Sequence, residues 1–341
     1  MRRREFVAAG VIASSACGAR VESPLRDVSV ALSEHLSVST MYLADESGYV
    51  RQAGFQFKPM RISALQAIPL LASGKLDVIL GGVPSQLLNA VARGMNIKVV
   101  AGREYVSPSC GEGYVLYAHR DAFRGGAIDP RRLKGKRFSV RSRGITEFIL
   151  DSFLKHFGMK PEDVQRVDLP LKESLAALAG GKIDALFDIE ISRSPMATSP
   201  EIVKVWRFAE VQPFHQYSFV IFGDSLLKAG LGPGSRFLAA YLAAAGDFLD
   251  GRTPKYMREF AATHGLDVEK TVAECRDTFP RDGAIDLPSM QRSIDWNVSK
   301  GYATRALRAE EIVDTKFLME GRRLLASGQW RAAAAAGGSG A

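Results

Sequence analysis

Cysteine and histidine are scarce in this chain of 341 residues, which has three cysteines and five histidines. The histidines are scattered without the spacing of metal ligands, at positions His35, His119, His156, His215 and His264. We therefore predict no metal site. Cys110 and Cys275 lie far apart in the sequence and also lack metal-ligand spacing. An oxidising compartment permits a disulfide between them, but the sequence favours two unpaired buried thiols.

Catalytic signatures are also missing. The sequence contains no Gly-x-Ser-x-Gly elbow, no His-Glu-x-x-His helix, no phosphate loop ending in Gly-Lys-Ser or Gly-Lys-Thr and no convincing dinucleotide fingerprint. We predict that the protein is not an enzyme and that it holds no cofactor. The net charge of +8 is dispersed, with no stripe of basic residues interleaved with aromatics, so nucleic-acid binding is poorly supported. A dispersed excess of positive charge aids solubility or attracts a small anion.

Long apolar runs are absent, and the first 19 residues have the layout of an export signal. Arg2 to Arg4 precede an apolar stretch from Phe6 to Ala13, which is too short to span a bilayer. Arg3 and Arg4, with the apolar pair Phe6-Val7 after Glu5, resemble the twin-arginine motif. Export by the twin-arginine route and export by the general secretory route therefore both stay open. Cys17 follows small residues as at a lipoprotein cleavage site, which leaves lipidation open as well. We predict a periplasmic or other extracytoplasmic protein, with or without a lipid anchor.

One ten-residue pattern occurs twice. Leu71–Leu80 reads LASGKLDVIL, and Leu178–Phe187 reads LAGGKIDALF. Each copy is typical of a helix that ends at a glycine and is followed by a buried strand. The repeat predicts the same substructure in two lobes with a cleft between them, and the repeated aspartates are predicted to be structural. The alternative is chance similarity, because short helix-to-strand turns favour these residues.

Strand and helix signals alternate along most of the chain. The pattern predicts an α/β protein with two lobes, each a mostly parallel sheet flanked by helices. One lobe is predicted over 28–112 plus 218–327, with a largely helical C-terminal part, and the other over 113–217. If the chain crosses twice between them, the hinge consists of two strands. The Ala-Gly-Ser tail at 331–341 is predicted to be disordered.

Several segments resemble a known family. They are Leu32 to Tyr49, Gly74 to Pro84, Leu133 to Val140 and the pair Asp295-Trp296. In this order they resemble the solute-binding proteins of ABC importers, in the NMT1 or THI5-like group that includes sulfonate, taurine, nitrate and thiamine-precursor binders. The resemblance implies a type 2 periplasmic-binding-protein fold and a monomer that closes on a small molecule. It also implies that an ABC permease in the membrane receives the ligand.

Three loops are candidates for binding the anionic part of a ligand, because helix N-termini offer unpaired N–H groups to anions and open α/β sheets bind ligands at strand ends. The candidate residues are His35, Ser37 and Ser39 in the first loop, Gly82 and Ser85 in the second, and Ser142, Gly144 and Thr146 in the third. Arg143 in the third loop could bind an oxyanion through the N–H donors of its planar guanidinium group. The alternatives are helix caps, simple strand-to-helix turns and solvated loop side chains.

Carboxylates are candidates for the other end of the ligand. Asp188 and Glu190 follow the second repeat, where the family commonly carries Trp-Glu-Pro. Glu190 matches the family glutamate, while the tryptophan and proline are absent. A carboxylate there suits a ligand amine or ring N–H, and the alternative is a surface or helix-capping acid. Tyr217 could contact the ligand or belong to the core.

The predicted function is capture of a small organic molecule, with an anionic group such as a sulfonate, nitrate or carboxylate, for an ABC permease. Two alternatives remain open at this point. One is a protein of the same fold that binds or synthesises a pyrimidine or thiamine precursor, or a two-lobed transferase. The other is a periplasmic sensor subunit.

Overall fold

The computed structural model describes residues 24–110, 113–188, 198–273 and 275–331. The predicted export signal, Cys17, Glu190 and the predicted tail beyond Arg331 lie outside the described residues. Within the described part of the chain, no helix combines the length and the apolar character needed to cross a bilayer.

Ten strands form two five-stranded sheets. The strands are β1 Arg26–Ala31, β2 Phe55–Met60, β3 Val78–Gly81, β4 Lys98–Gly102, β5 Val115–His119, β6 Arg137–Ser139, β7 Gln165–Val167, β8 Ala185–Asp188, β9 Ile202–Arg207 and β10 Phe219–Phe222. Sheet 1 has the order β2-β1-β3-β10-β4 and sheet 2 the order β7-β6-β8-β5-β9. In sheet 1 only β10 runs antiparallel to its neighbours, and in sheet 2 only β5 does so. The predicted mostly parallel sheets are confirmed.

Helices cover both faces of the sheets. They are α1 Ser39–Glu46, α2 Tyr49–Gln52, α3 Ala64–Ala72, α4 Ser85–Ala92, α5 Ile145–His156, α6 Leu171–Ala179, α7 Asp224–Lys228, α8 Leu231–Leu249, α9 Lys255–Thr263, α10 Val268–Val272, α11 Leu287–Ser299, α12 Ala309–Ile312 and α13 Lys316–Ser327. The long α8 and α13 pack with α1 against one face of sheet 1. We call sheet 1 with its helices the first lobe and sheet 2 with its helices the second lobe.

Two short helices, α1 and α2, follow one another after β1. The break is at Gly48, which has a φ of 70° in the left-handed region between α1 and α2. A glycine adopts this conformation without a Cβ clash, so it ends one helix and starts the next.

The repeated pattern forms equivalent structures in the two lobes. Gly74 and Gly181 have φ values of 72° and 64° after α3 and α6. Asp77 then accepts hydrogen bonds from the backbone N–H and hydroxyl of Ser29 in β1, at 2.8 and 2.7 Å. Asp184 accepts from the backbone N–H and the guanidinium of Arg137 in β6, at 2.8 and 2.9 Å. Each aspartate therefore fixes the neighbouring parallel strand, as a structural residue would.

Two antiparallel segments connect the lobes. Arg103 N–H donates to the carbonyl of Ser218, Tyr217 N–H donates to that of Glu104, and Val106 N–H donates to that of His215, at 2.9, 3.1 and 2.9 Å. This pairing is the two-strand hinge. The predicted lobe boundaries at 112/113 and 217/218 stay predictions.

The prediction of two unpaired thiols was wrong. Cys110 and Cys275 form a disulfide, with Cα atoms 5.2 Å apart, although the two residues are 165 positions apart in sequence. It joins the region just after the first hinge segment to the C-terminal helical part. Their separation in sequence could not show this proximity, because it depends on the folded chain.

Candidate functional site

A cavity of about 250 Å³ lies where the two lobes face each other across the hinge. Its lining comes from the ends of β1 and β3, the hinge, the start of α5 and one side of α11. The lining residues are Ser33, His35, Ser37, Leu80, Gly81, Gly82, Val83, Pro84, Arg103, Glu104, Tyr114, Arg143, Gly144, Ile145, Phe148, Tyr217, Ser218, Phe219, Ser293, Trp296 and Asn297. The cavity thus lies at strand ends, which is where open α/β sheets bind ligands.

Two helices direct their N-termini at this cavity, one from each lobe. Gly82 to Pro84 precede α4, and Gly144 precedes α5. Pro84 and Gly144 are the N-cap residues, and neither helix has a side-chain cap. The first N–H groups of a helix have no partner within the helix. Both termini therefore offer donors and a partial positive charge to an anion.

Arg103 forms the buried base of the cavity and is only 1% exposed. Its guanidinium donates to the Tyr241 hydroxyl at 3.0 Å, to the Ser218 hydroxyl at 2.8 Å and to the Ser37 carbonyl at 2.5 Å. Burial opposes its charge, yet Tyr241 and Glu104 raise the pKa of Arg103 above its ordinary value. Arg103 therefore fixes the loop after β1 against the hinge and α8.

Aromatic side chains form the apolar walls. Tyr114 and Tyr217 meet edge to face at 5.3 Å, and Phe148 and Trp296 do so at 5.6 Å. His215 stacks on Phe148 behind the wall, with ring centroids 5.1 Å apart. Burial, with the charge of Arg292, lowers the pKa of His215 to about 4, so the imidazole is neutral at pH 7.

Helix α11 joins the two lobes beside the cavity. Met290 and Ile294 belong to the core of the first lobe, whereas Trp296 packs against the core of the second. Trp296 also donates its indole N–H to Asp151 of α5 at 2.8 Å. One helix thus spans the cleft and contributes to both sides.

Two carboxylates on α5, of which Glu147 is buried and Asp151 partly buried, complete this junction. We call it the α5 latch: Glu147 and Asp151 with Lys300, Tyr302 and Trp296. The Glu147 side chain is 2% exposed and accepts from the Tyr302 hydroxyl at 2.9 Å. Lys300 lies 2.9 Å from Asp151 and 3.4 Å from Glu147. Burial favours the neutral form of Glu147, but donors that include Tyr302 and Lys300 hold its pKa below the ordinary value.

Glu147 also shapes the loop before α5. It accepts the backbone N–H of Arg143 at 2.7 Å, and Arg143 has a φ of 59°, in the left-handed region. The guanidinium of Arg143 lies over the Tyr302 ring, 5.0 Å from its centroid. Contacts across the cleft therefore support the loop that places Gly144 at the cavity.

Some predicted site residues line the cavity: His35, Ser37, Gly82, Gly144 and Tyr217. Others do not, namely Ser39, Ser85, Ser142, Thr146 and Asp188. Ser39 donates to the Leu36 carbonyl at 2.6 Å, and Thr146 accepts the Arg141 N–H at 3.1 Å. The Ser142 N–H donates to Asp168 at 3.1 Å, and Ser85 lies 3.2 Å from Gln86. Asp188 is buried at the end of β8.

Sequence reasoning did not single out Arg103, Glu104, Phe148 or Asn297. No local motif marks them, and they reach the cavity through the pairing of the hinge segments, the position of α5 and the docking of α11.

One group of described residues could approach a metal ion: His119, Asp121 and Glu201. Asp121 lies 3.5 Å from His119 Nδ1 and Glu201 lies 3.9 Å from His119 Nε2. One ligand atom from each of the three residues lies within 4.8 Å of the others, and both carboxylates are exposed. None of the three lines the cavity.

Solved structures with the same fold include binding proteins. The alkanesulfonate-binding protein SsuA from Xanthomonas axonopodis pv. citri, bound to MOPS, is 16% identical with a TM-score of 0.68, over 86% of this chain and 99% of that one. The periplasmic nitrate-binding protein NrtA from Synechocystis PCC 6803 is 10% identical with a TM-score of 0.68, over 91% of each chain. The desulfurization enzyme DSZB is 14% identical with a TM-score of 0.63, over 87% of this chain and 99% of that one.

At these identities the structures show a shared fold, which is that of two-lobed periplasmic binding proteins. No curated protein matches the sequence significantly. The family model described as NMT1/THI5 like matches residues 36–250, more than half of the chain. The predicted resemblance is confirmed, and the chain belongs to the NMT1/THI5-like family.

Proposed function

We propose that this protein is an extracytoplasmic solute-binding protein that captures a small organic anion between its lobes and delivers it to an ABC permease. The observation that carries the proposal is the pair of uncapped helix N-termini, from α4 and α5, at one cavity. Such termini bind sulfonate, nitrate and carboxylate groups through N–H donors and the helix dipole. Fold relatives that bind alkanesulfonate and nitrate support the same class of ligand.

In this proposal the oxyanion lies between the N–H groups that follow Gly82 and those that follow Gly144. The remainder of the ligand contacts the aromatic walls, where Tyr217 and Trp296 supply apolar area beside polar groups. Ser37 and His35 flank the anion from the loop after β1. The volume of about 250 Å³ suits a small organic molecule.

We propose that residues 1–19 direct export from the cytoplasm, and that they are then cleaved off, with or without attachment of a lipid to Cys17. We propose a monomer whose membrane partner is the permease. The enzyme DSZB shares the fold, so the fold alone does not separate a binding protein from an enzyme. We propose that this protein binds its ligand without converting it. Recovery of every bound probe chemically unchanged after prolonged incubation, checked by mass spectrometry, supports binding, and conversion of a probe would contradict it.

The binding proposal is tested by calorimetric titration with short alkanesulfonates, nitrate and small carboxylates. Ser37→Asp places a negative charge in the cavity lining, so it should abolish binding of any anion that the wild type binds. Ser73→Asp adds the same charge at an exposed position after α3 and should leave binding intact. If no anion in the panel binds, or if Ser37→Asp binds as tightly as Ser73→Asp, the proposal fails.

A further inference from the structure

A buried carboxylate lies in the same cavity. Glu104 is 6% exposed and lines the cavity from the hinge. Its nearest charged partner is Arg103, whose Nη1 lies 3.8 Å from Glu104 Oε2, beyond hydrogen-bond distance. Within the described part of the chain, the Glu104 side chain makes this ion pair and no hydrogen bond. Its oxygens therefore keep their capacity to accept hydrogen bonds.

Arg103 compensates this carboxylate only in part. Its guanidinium donates instead to Tyr241, Ser218 and the Ser37 carbonyl, all within 3.0 Å. A carboxylate removed from water is costly unless donors replace its hydration. It also repels an anion in the same cavity. Glu104 therefore does not strengthen the binding of a ligand that is only an anion. It does strengthen the binding of a ligand that carries a positive group as well as a negative one.

We propose, resting on the binding function above, that the ligand is an anion that also carries an amino group, and that the Glu104 carboxylate accepts from it. The anionic end lies at the N-termini of α4 and α5, and the ammonium lies at the hinge. A charge-assisted hydrogen bond in a cavity shielded from water is stronger than one in solution. Glu104 thus selects the amino-bearing member of a series of similar anions.

The test uses pairs of probes that differ by one amino group: ethanesulfonate with 2-aminoethanesulfonate, and propionate with 3-aminopropionate. Calorimetric titration at pH 7 should show that wild-type protein binds the amino member of a pair about tenfold or more tightly. Glu104→Gln keeps the shape but removes the charge, so this preference should fall to about threefold or less. Binding of the plain member should be unchanged or tighter, because the repulsion is gone.

Glu34→Gln is the matched control. Glu34 is exposed and does not line the cavity, yet its substitution changes the net charge of the chain by the same amount. It should retain the wild-type preference.

The alternative role for Glu104 is only to neutralise Arg103. In that case Glu104→Gln would weaken both members of a pair equally and lower the melting temperature, which would overturn the inference. Equal binding of both members by the wild type would also overturn it while leaving the binding function intact. Failure of every probe to bind would overturn the binding function itself.

Discussion

The α5 latch predicts a measurable coupling across the cleft. Tyr302→Phe removes one hydroxyl, which donates to the buried Glu147 carboxylate at 2.9 Å. A hydrogen bond to a charged group contributes about 1.5 to 3 kcal/mol net. Glu147 keeps Arg166 at 2.7 Å and the Arg143 N–H at 2.7 Å, so we expect a loss near the lower end, about 1.5 kcal/mol.

A double-mutant cycle isolates this contribution. Unfolding in urea is measured for the wild type, Tyr302→Phe, Glu147→Gln and the double variant. Because both groups belong to one contact, the coupling free energy should be about 1 kcal/mol. The same contact joins the lobes, so Tyr302→Phe should also increase the radius of gyration of the ligand-free protein in X-ray scattering.

Tyr49→Phe is the control for this cycle. It removes a hydroxyl that donates to Asp247 at 2.8 Å, in a pair that lies entirely within the first lobe. It should cost stability without opening the cleft. The latch would be refuted if Tyr302→Phe and Tyr49→Phe gave the same scattering curve, or if the Tyr302–Glu147 coupling were below about 0.3 kcal/mol.

Three further predictions concern stability. Replacing Cys110 and Cys275 with serine should lower the free energy of unfolding by about 2 to 5 kcal/mol, because the disulfide closes a long loop; a melting temperature equal to that of the wild type would contradict this. Since the pKa of His215 falls from 6.5 to about 4 on folding, the unfolded chain binds a proton first as pH decreases, and stability should fall by about 3 kcal/mol between those values. His215→Phe should flatten this part of the pH profile, measured by urea unfolding, and an unchanged profile would count against a buried neutral imidazole. Asp77→Asn and Asp184→Asn should each cost about 1 to 3 kcal/mol in thermal melts, with anion affinity preserved, because they fix strands away from the cavity; loss of binding with normal stability would show that they are not structural.

The sequence predicted the features that depend on local patterns. Alternating strand and helix signals gave both sheets, and the repeated Gly-Lys-x-Asp turns marked equivalent positions in them. The loops at Gly82 and Gly144 were found because strand-to-helix turns have a recognisable composition.

The features that were missed depend on contacts between distant residues. Arg103 is buried by Tyr241, 138 positions away, and Glu147 meets Tyr302, 155 positions away. Neither pair has a local sequence signature, because a charged side chain is usually exposed to solvent. Docking of α11 decides which of its own side chains face the cavity, and a single sequence gives no distance between helices.

Crystals grown with each anion of the titration panel test the central claim most directly. The account predicts density for the anion between the N-termini of α4 and α5, with its oxygens within about 3 Å of the N–H groups after Gly82 and Gly144. An anion bound elsewhere on the protein, with this cavity holding only water at saturating concentration, would contradict it.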